Sequence, residues 1–263
     1  MKKILSIILT VLVIFTLGAC GQSNSEAKKI TIGATAVPHG EILEEVKPIL
    51  KEKGYELEVK IFSDYVLPNR ALEDGELDAN FFQHIPYLEE YNKKNNTNIV
   101  ALNKIHLEPL GLYSKKIKSL DELKDGSTIT IPNDATNGSR ALKLLEDNKI
   151  IKLQKKDLVS KLDVVENPKN IKIQEIEAPQ LSRTLDDVEA SIINTNYALQ
   201  ANLNPTKDAI IIEDKESPYA NIIAVKSGDE NREEIKALCE AITSEKIKKF
   251  IEEKYNGSII PSF

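Results

Sequence analysis

The sequence predicts an α/β protein in which two α/β lobes are joined by a two-stranded hinge. Segments with strand and helix periodicity alternate along much of the chain, which is the pattern of βαβ units with a parallel sheet. A second observation is a sequence pattern that occurs twice, at residues 71–82 and 184–193. The third is a pair of extended apolar stretches, 110–114 and 221–225, where the chain is expected to cross between the lobes. A length of 263 residues with 41% hydrophobic residues is sufficient for two cores.

The first predicted βαβ unit occupies residues 29–61. Residues 29–34 alternate between apolar and polar side chains as a strand does, and residues 57–61 do the same. Between them, residues 41–53 carry apolar side chains at helical spacing, and Gly54 follows as a helix stop. Pro48 lies inside this helix and is expected to kink or split it.

Each copy of the repeated pattern contains the end of a helix, an acidic turn and a short apolar strand. Coincidence is the alternative explanation. If the copies are equivalent, their strands end at Gln83 and His84 in one lobe and at residues 194–196 in the other. Because ligands of open α/β sheets bind beyond the carboxyl ends of the strands, these residues are expected to face a shared cleft.

The predicted division of the chain assigns residues 28–112 and 226–263 to lobe 1 and residues 113–225 to lobe 2. Since the chain crosses twice between the lobes, the two connections form a hinge that allows closure around a ligand. Residues 1–19 are predicted to be a signal peptide, and residues 20–27 a lipidated flexible tether.

The N-terminus begins with Met-Lys-Lys and continues with an apolar run at residues 4–19, shorter than the ~20 residues of a membrane-spanning helix. The sequence Leu-Gly-Ala-Cys at residues 17–20 resembles the lipobox of bacterial lipoproteins. Lipidation of Cys20 with several acyl chains, palmitate among them, would hold the mature protein at the extracytoplasmic face of the cell membrane. The alternatives are an ordinary signal peptide and a short anchor.

Composition and motifs exclude several functions. A net charge of −6, a pI of about 5.4 and 5% aromatic residues argue against binding of nucleic acid. There is no H-E-x-x-H, C-x-x-C, G-x-S-x-G or G-x-x-x-x-G-K-[ST] motif, and no catalytic residue or cofactor is predicted. Zinc binding by His39, His84 and His106 is an alternative, but no metal site is predicted. Cys239 is expected on the buried face of a helix.

The loop at residues 132–140 is the strongest candidate for an anion site. It follows a predicted strand and precedes a predicted helix, so that backbone N–H groups and the helix dipole would face an anion. Arg140 is able to hold a carboxylate with two parallel hydrogen bonds. The alternative is an arginine on the helix surface, but the Asn, Thr and Gly residues of the same loop favour a site.

Aromatic residues are concentrated near the strand end of the first copy. Tyr65, Phe82 and Tyr87 lie around this end, with His84 between the last two. Rings at such positions often belong to the core. The other interpretation is an apolar slot that receives the tail of a small amphipathic ligand.

Five stretches of the chain together resemble a known family. They read Tyr-Val-Leu-Pro-Asn at 65–69, Asp-Ala-Asn-Phe-Phe-Gln-His-Ile-Pro-Tyr-Leu at 78–88, Pro-Asn-Asp-Ala-Thr-Asn at 132–137, Ile-Asn-Thr-Asn-Tyr-Ala at 193–198 and Ser-Pro-Tyr-Ala-Asn at 217–221. With the lipobox, they are similar to the NlpA/MetQ lipoproteins, the methionine-binding subunits of ABC importers. The resemblance implies a type II periplasmic-binding-protein fold, whose two α/β lobes close on a free amino acid.

The resemblance also implies a set of ligand-binding residues. They are Tyr65, Phe82, His84, Tyr87, Asn137, Arg140, Asn194 and Asn221. In this assignment Arg140 pairs with the ligand carboxylate, Asn194 and Asn221 bind its ammonium and carboxylate, and Asn137 lies near its backbone end. The aromatic residues and the histidine enclose the thioether.

The function implied is that of a lipid-anchored solute-binding protein rather than an enzyme. It would capture L-methionine as a monomer and deliver it to an ABC permease driven by an ATPase subunit. The alternatives are another amino acid, D-methionine or a methionine-containing dipeptide as ligand, an enzyme on the same fold, and a surface lipoprotein with an adhesive role.

Overall fold

Two large β-sheets organise the part of the chain that the structure, a computed structural model, describes, residues 27–263. The strands are β1 (Lys28–Thr35), β2 (Tyr55–Phe62), β3 (Ala79–His84), β4 (Ile99–Leu107), β5 (Gly111–Tyr113), β6 (Thr128–Pro132), β7 (Lys152–Leu153), β8 (Val164–Glu166), β9 (Lys172–Ile176), β10 (Ala190–Ile193), β11 (Ile211–Ile212), β12 (Ala220–Lys226) and β13 (Ile260–Pro261). The α-helices are α1 (Glu41–Glu52), α2 (Leu67–Glu73), α3 (Ile85–Asn95), α4 (Ala135–Asp147), α5 (Thr195–Gln200), α6 (Pro205–Asp208), α7 (Glu233–Ile242) and α8 (Glu245–Tyr255).

The first sheet has the strand order β13-β4-β12-β3-β1-β2. Strand β1 is parallel to β2 and β3, which confirms the predicted βαβ unit, whereas β12 is antiparallel to β3 and β4. The helical spacing of Ile42, Val46 and Leu50 places them on one side of α1, where they are buried in the same core as Ile30 and Ile32 of β1. Burial of each such side chain contributes about 1.5–3 kcal/mol.

The second sheet has the strand order β11-β5-β10-β6-β9. Strand β6 is parallel to β9 and β10, and β5 is antiparallel to β10. Its core is separate from that of the first sheet, and in it Leu142 and Leu145 of α4 pack with Ile129 and Ile131 of β6. Two sheets, each packed on its own hydrophobic clusters, confirm the predicted α/β class with two lobes.

The chain passes between the sheets at residues 108–110, after β4, and at residues 213–219, before β12. The stretches predicted as crossovers, 110–114 and 221–225, lie largely in β5 of the second sheet and in β12 of the first. A short apolar run is typical of a buried strand as well as of a crossover, and periodicity alone does not separate the two. The predicted lobe limits lie close to these connections and stay a prediction.

The repeated sequence pattern corresponds to equivalent structure in the two lobes. The first copy is the end of α2, a turn and β3; the second is the end of a 3₁₀-helix (Ala178–Asp186), a turn and β10. Both strands are fully buried and lie inside their sheets. His84 and Asn194 then occupy the N-cap positions of α3 and α5. The ends of β3 and β10 therefore place His84 and Asn194 at the same site from opposite lobes.

One local expectation differs from the structure, since helix α1 continues through Pro48 without a break. Pro48 lies on the exposed side, so the carbonyl oxygen of Glu44, which loses its N–H partner, faces water, while apolar residues before and after Pro48 keep both turns packed. Cys239 of α7 packs against the first core, as expected, although it is only half-buried, and burial raises the pKa of its thiol to about 11.

The predicted signal peptide 1–19 and Cys20 lie outside the described residues, as does the tether apart from residue 27. Within residues 27–263, no helix combines the length and the hydropathy that a membrane crossing requires.

Candidate functional site

A narrow cavity lies between the lobes, at the ends of β3 and β10. Its lining combines aromatic rings with amides and one arginine, the mixture of apolar and polar groups that is typical of a small-molecule site. The lining includes every residue predicted from the sequence: Tyr65, Phe82, His84, Tyr87, Asn137, Arg140, Asn194 and Asn221. Gln83, Glu108, Thr195 and Asn196 complete it. The structure thus brings the predicted residues together, while their roles toward a ligand stay predictions.

Three aromatic rings form the wall of the cavity on the side of the first lobe. Tyr65, Phe82 and Tyr87 lie with ring centroids 6.0–6.1 Å apart in each pair. The Tyr87 hydroxyl donates a hydrogen bond to the Tyr65 carbonyl oxygen at 2.8 Å, and the Tyr65 hydroxyl donates to Asn196 Oδ1 at 2.5 Å, so each ring is held by its own bond. Burial raises the pKa of both tyrosines well above its usual range, so the wall is uncharged.

His84 is held as a neutral ring at the start of α3. Its Nδ1 accepts a hydrogen bond from the backbone N–H of Tyr87 at 3.1 Å. Its Nε2–H therefore donates to Asn137 Oδ1, 3.2 Å away across the cleft. Burial, and then the charge of Arg140, lower the pKa of His84 to about 3. His84 thus connects the two lobes without adding charge to the site.

Asn137 is the polar centre of the site. The N-cap residue Asp134 accepts from the backbone N–H of Asn137 at 2.9 Å and from its side-chain amide at 3.1 Å. The remaining oxygen, Asn137 Oδ1, accepts from Asn194 Nδ2 at 2.9 Å as well as from His84. The predicted loop 132–140 is shorter in the structure, because β6 ends at Pro132 and α4 already begins at Ala135, so that Asn137 and Arg140 lie in the helix. The N-cap residue Asp134 already accepts from a backbone N–H group that the sequence suggested for an anion.

Arg140 is 4% exposed, which excludes the alternative of a surface arginine. Its Nε donates to Glu213 Oε1 at 2.8 Å, and its Nη2 donates to Glu213 Oε2 and, at 2.8 Å, to the carbonyl oxygen of Glu108. The guanidinium carbon lies 4.4 Å from the ring centre of Tyr219. Both crossovers therefore contact Arg140, since Glu108 belongs to the first and Glu213 and Tyr219 to the second.

Glu108 lines the cavity and is held by two histidines. Its Oε1 lies 2.8 Å from His106 Nε2 and 3.2 Å from His39 Nε2. His39 Nε2 is also 3.0 Å from Asn221 Oδ1, and Thr35 Oγ1 is 2.7 Å from His39 Nδ1. Burial lowers the pKa of His39 to about 4 and that of His106 to about 3, and it raises the pKa of Glu108. Both rings are therefore neutral at pH 7.

The cluster of His39, His106 and Glu108 has the composition of a small metal site. Its donor atoms, however, already bond to one another, to Thr35 and to Asn221. The zinc alternative required all three histidines, and His84 lies outside this cluster. The geometry favours a structural network that holds Glu108 at the cavity.

Two buried polar atoms of the cavity have no hydrogen-bond partner within residues 27–263. They are Asn194 Oδ1, an acceptor, and Asn196 Nδ2, a donor. Unpartnered buried polar atoms are uncommon because each costs about 1–3 kcal/mol. An acceptor and a donor of this kind are suited to the ammonium and the carboxylate of one zwitterion.

Four lining residues were not among the predicted ligand-binding residues. Three of them, Gln83, Thr195 and Asn196, lie at the strand ends that the sequence placed at the cleft, so their position was expected although no role was assigned to them. Gln83 is held by Asn69 and Asn80, with bonds of 2.7–2.9 Å. Glu108 was missed: its partner His106 lies two residues before it, but the other partner, His39, and the cavity come from distant parts of the chain.

The fold and the cavity define a two-lobe ligand-binding protein of the periplasmic-binding type. The sites of such proteins lie between two α/β lobes linked by short crossovers, as this cavity does. The chain belongs to the NlpA lipoprotein family, whose model matches residues 30–263.

Individual relatives support this assignment over almost the whole chain. The chain is 46% identical to the methionine-binding lipoprotein MetQ of Bacillus subtilis (strain 168), over 99% of both chains. It is 44% identical to the D-methionine-binding lipoprotein MetQ of Escherichia coli (strain K12), over 92% of this chain and 91% of that one. The structure of a nutrient binding protein from Burkholderia cenocepacia bound to methionine has a TM-score of 0.87 and 45% identity, covering 89% of this chain and 100% of that chain. The predicted two-lobe fold and family are confirmed.

Proposed function

We propose that this protein captures L-methionine outside the cytoplasm and delivers it to an ABC permease driven by an ATPase subunit. The observation that carries the proposal is a cavity between the lobes whose lining combines a guanidinium and unpartnered amide atoms with three aromatic rings. A small zwitterion with an apolar tail matches both parts of this lining. The methionine-bound relative supports the choice of amino acid.

The polar end has separate groups for the two charges of an amino acid. Arg140 and the free amide donor of Asn196 suit the carboxylate. Asn194 donates through Nδ2 to Asn137, which leaves its Oδ1 to accept from the ammonium. Asn221 accepts through Oδ1 from His39, so its amide N–H groups are left for the carboxylate.

The ring-lined end suits a thioether. Sulfur near the edge of an aromatic ring gains ~0.3–1.5 kcal/mol per contact. Tyr65, Phe82 and Tyr87 offer three such rings, and neutral His84 closes the slot without a charge that the tail would have to desolvate. A polar or charged tail would leave its own groups unpaired in this slot.

The membrane part of the proposal rests on Cys20. Lipidation there would tether the binding lobes to the outer face of the membrane, next to the permease. Cys20→Ser should move the protein from the membrane to the soluble fraction without a change in methionine affinity, and Cys239→Ser is the matched control that should stay membrane-bound. A Cys20→Ser protein that remains in the membrane fraction contradicts the anchor.

The ligand is tested on protein that has been unfolded, stripped and refolded, because ligand often co-purifies with such proteins. We expect mass spectrometry of the released material to identify methionine, and calorimetry of refolded protein to give one methionine per chain. Sedimentation is expected to give a monomer with and without it. Preference for D-methionine or a methionine dipeptide would redirect the ligand assignment. Conversion of methionine into a product would establish an enzyme instead.

A further inference from the structure

Arg140 is held from the side opposite the ligand cavity. Glu213 pairs with the edge of the guanidinium formed by Nε and Nη2. Arg140 lines both the ligand cavity and a groove outside it, whereas Glu213 lines only the outer groove. The edge bearing Nε and Nη2 is therefore turned away from the ligand cavity.

The remaining donors of Arg140 define what a ligand can reach. Nη2 also donates to the Glu108 carbonyl oxygen at 2.8 Å. No group in residues 27–263 accepts a hydrogen bond from Nη1, which carries two N–H donors. The ring of Tyr219 covers one face of the guanidinium. Nη1 is thus the part of Arg140 that is left for a bound carboxylate.

We propose that Glu213 is the positioning residue that fixes Arg140 with Nη1 toward the ligand carboxylate. This inference rests on the function proposed above. Glu213 lies in the second crossover and its Oε2 also accepts from the backbone N–H of Leu110 in the first, at 3.3 Å. The position of Arg140 therefore depends on the hinge, because Glu213 contacts both crossovers.

Two physical effects of Glu213 on affinity have opposite signs. A free arginine side chain carries about 2 kcal/mol of rotamer entropy, and fixing it in advance favours binding. The negative charge of Glu213 also offsets part of the charge of Arg140, which weakens its attraction for a carboxylate. Positioning and neutralisation thus predict opposite results when the charge of Glu213 is removed.

The test compares Glu213→Gln with the control Glu216→Gln, an exposed residue of the same crossover that does not contact Arg140. Calorimetry of refolded protein uses L-methionine and L-methioninamide, which lacks the carboxylate. We expect Glu213→Gln to weaken methionine binding about tenfold and methioninamide binding less than about threefold, with Glu216→Gln unchanged. Tighter or unchanged methionine binding, or equal losses for both ligands, would overturn the positioning role.

A second measurement needs no ligand. Hydrogen exchange of arginine Nε–H groups is followed by ¹⁵N NMR, with Arg140→Lys to assign the signal among those of Arg70, Arg183 and Arg232. Exchange at Arg140 should be slow in the unsubstituted protein and about tenfold faster or more in Glu213→Gln. Equal exchange rates would overturn the inference whatever the ligand is. An unsubstituted protein that binds no methionine would instead contradict the proposed function.

Discussion

The two strand ends that meet at the cavity have the same topology and different chemistry. β3 and β10 are both buried strands inside their sheets, and each is followed directly by a helix. In the first lobe the residue at the junction is His84, which has rings around it; in the second it is Asn194, which has amides and Arg140 around it. Asn137 Oδ1 bonds to both. One backbone arrangement thus supplies an apolar wall and a polar wall.

The chemical difference between the two walls explains why closure of the lobes favours ligand binding. The aromatic wall can bury a tail but offers no counter-charge, and the polar wall can bind a zwitterion but encloses no tail. Each wall alone binds only part of the ligand. A ligand that contacts both walls therefore stabilises the closed state, by the difference between its binding free energies for the closed and the open state. The crossovers contain Glu108 and Glu213, and they determine the position of one wall relative to the other.

The largest effect is expected on the polar wall, from Arg140→Ala. Methionine should bind more weakly by about 3 kcal/mol, roughly a hundredfold in Kd, because its carboxylate and Glu213 both lose their partner. Methioninamide should lose far less. Calorimetry measures both, and Arg183→Ala, at an exposed arginine, is the control. Equal losses of affinity for the two ligands would show that Arg140 does not bind the ligand carboxylate.

An intermediate effect is expected on stability as a function of pH. His39, His84 and His106 have folded pKa values of about 4, 3 and 3, below the usual 6.5, because burial disfavours their charged forms. At pH values between the folded pKa and 6.5, the unfolded chain binds more protons than the folded protein. The free energy of unfolding should therefore be complete above pH 6.5 and fall as the pH decreases, by about 1.4 kcal/mol per pH unit for each proton.

The raised pKa of Glu108 opposes this loss at the acidic end, since the folded state then takes up a proton more readily than the unfolded chain. Denaturant unfolding at a series of pH values measures the slope. His84→Asn keeps a residue type that is favoured at the N-cap of α3 and should reduce the slope by about one proton. A slope that does not change would mean that His84 titrates normally in the folded protein.

The smallest effect is expected on the aromatic wall, from Phe82→Leu. This change keeps an apolar side chain and removes one ring, so methionine should lose about 1 kcal/mol, roughly fivefold in Kd. In contrast to the polar wall, methioninamide should lose as much as methionine. Norleucine, which lacks the sulfur, should be affected less. If Phe82→Leu changed the ratio of the affinities for methionine and methioninamide, the assignment of separate roles to the two walls would be wrong.

The elements with strong periodicity were predictable from sequence, and so was the membership of the cavity. The βαβ unit at residues 29–61 followed from spacing, while the eight site residues followed from motifs shared with a family. The crossovers were misplaced because a buried strand and a connecting segment have the same apolar pattern. Pro48 failed to break its helix because packing on the opposite side outweighs one lost hydrogen bond.

The partners of the predicted residues were the part that the sequence could not provide. Arg140 was a candidate from its loop, but its partner Glu213 is far along the chain and in a segment without periodicity. Glu108 depends likewise on His39, which is far away in the sequence and approaches it only once the first sheet has formed, whereas its other partner, His106, is two residues away in the sequence. Contacts of this kind depend on the packing of distant segments, and spacing in one sequence does not encode them visibly.

The central claim is that the two walls bind opposite ends of one methionine, and a crystal structure of refolded protein with L-methionine tests it most directly. We expect the carboxylate within hydrogen-bond distance of Arg140 Nη1, the ammonium at Asn194 Oδ1, and the thioether among Tyr65, Phe82 and Tyr87. A methionine whose carboxylate lies away from Arg140, or whose tail points away from the three rings, would contradict it.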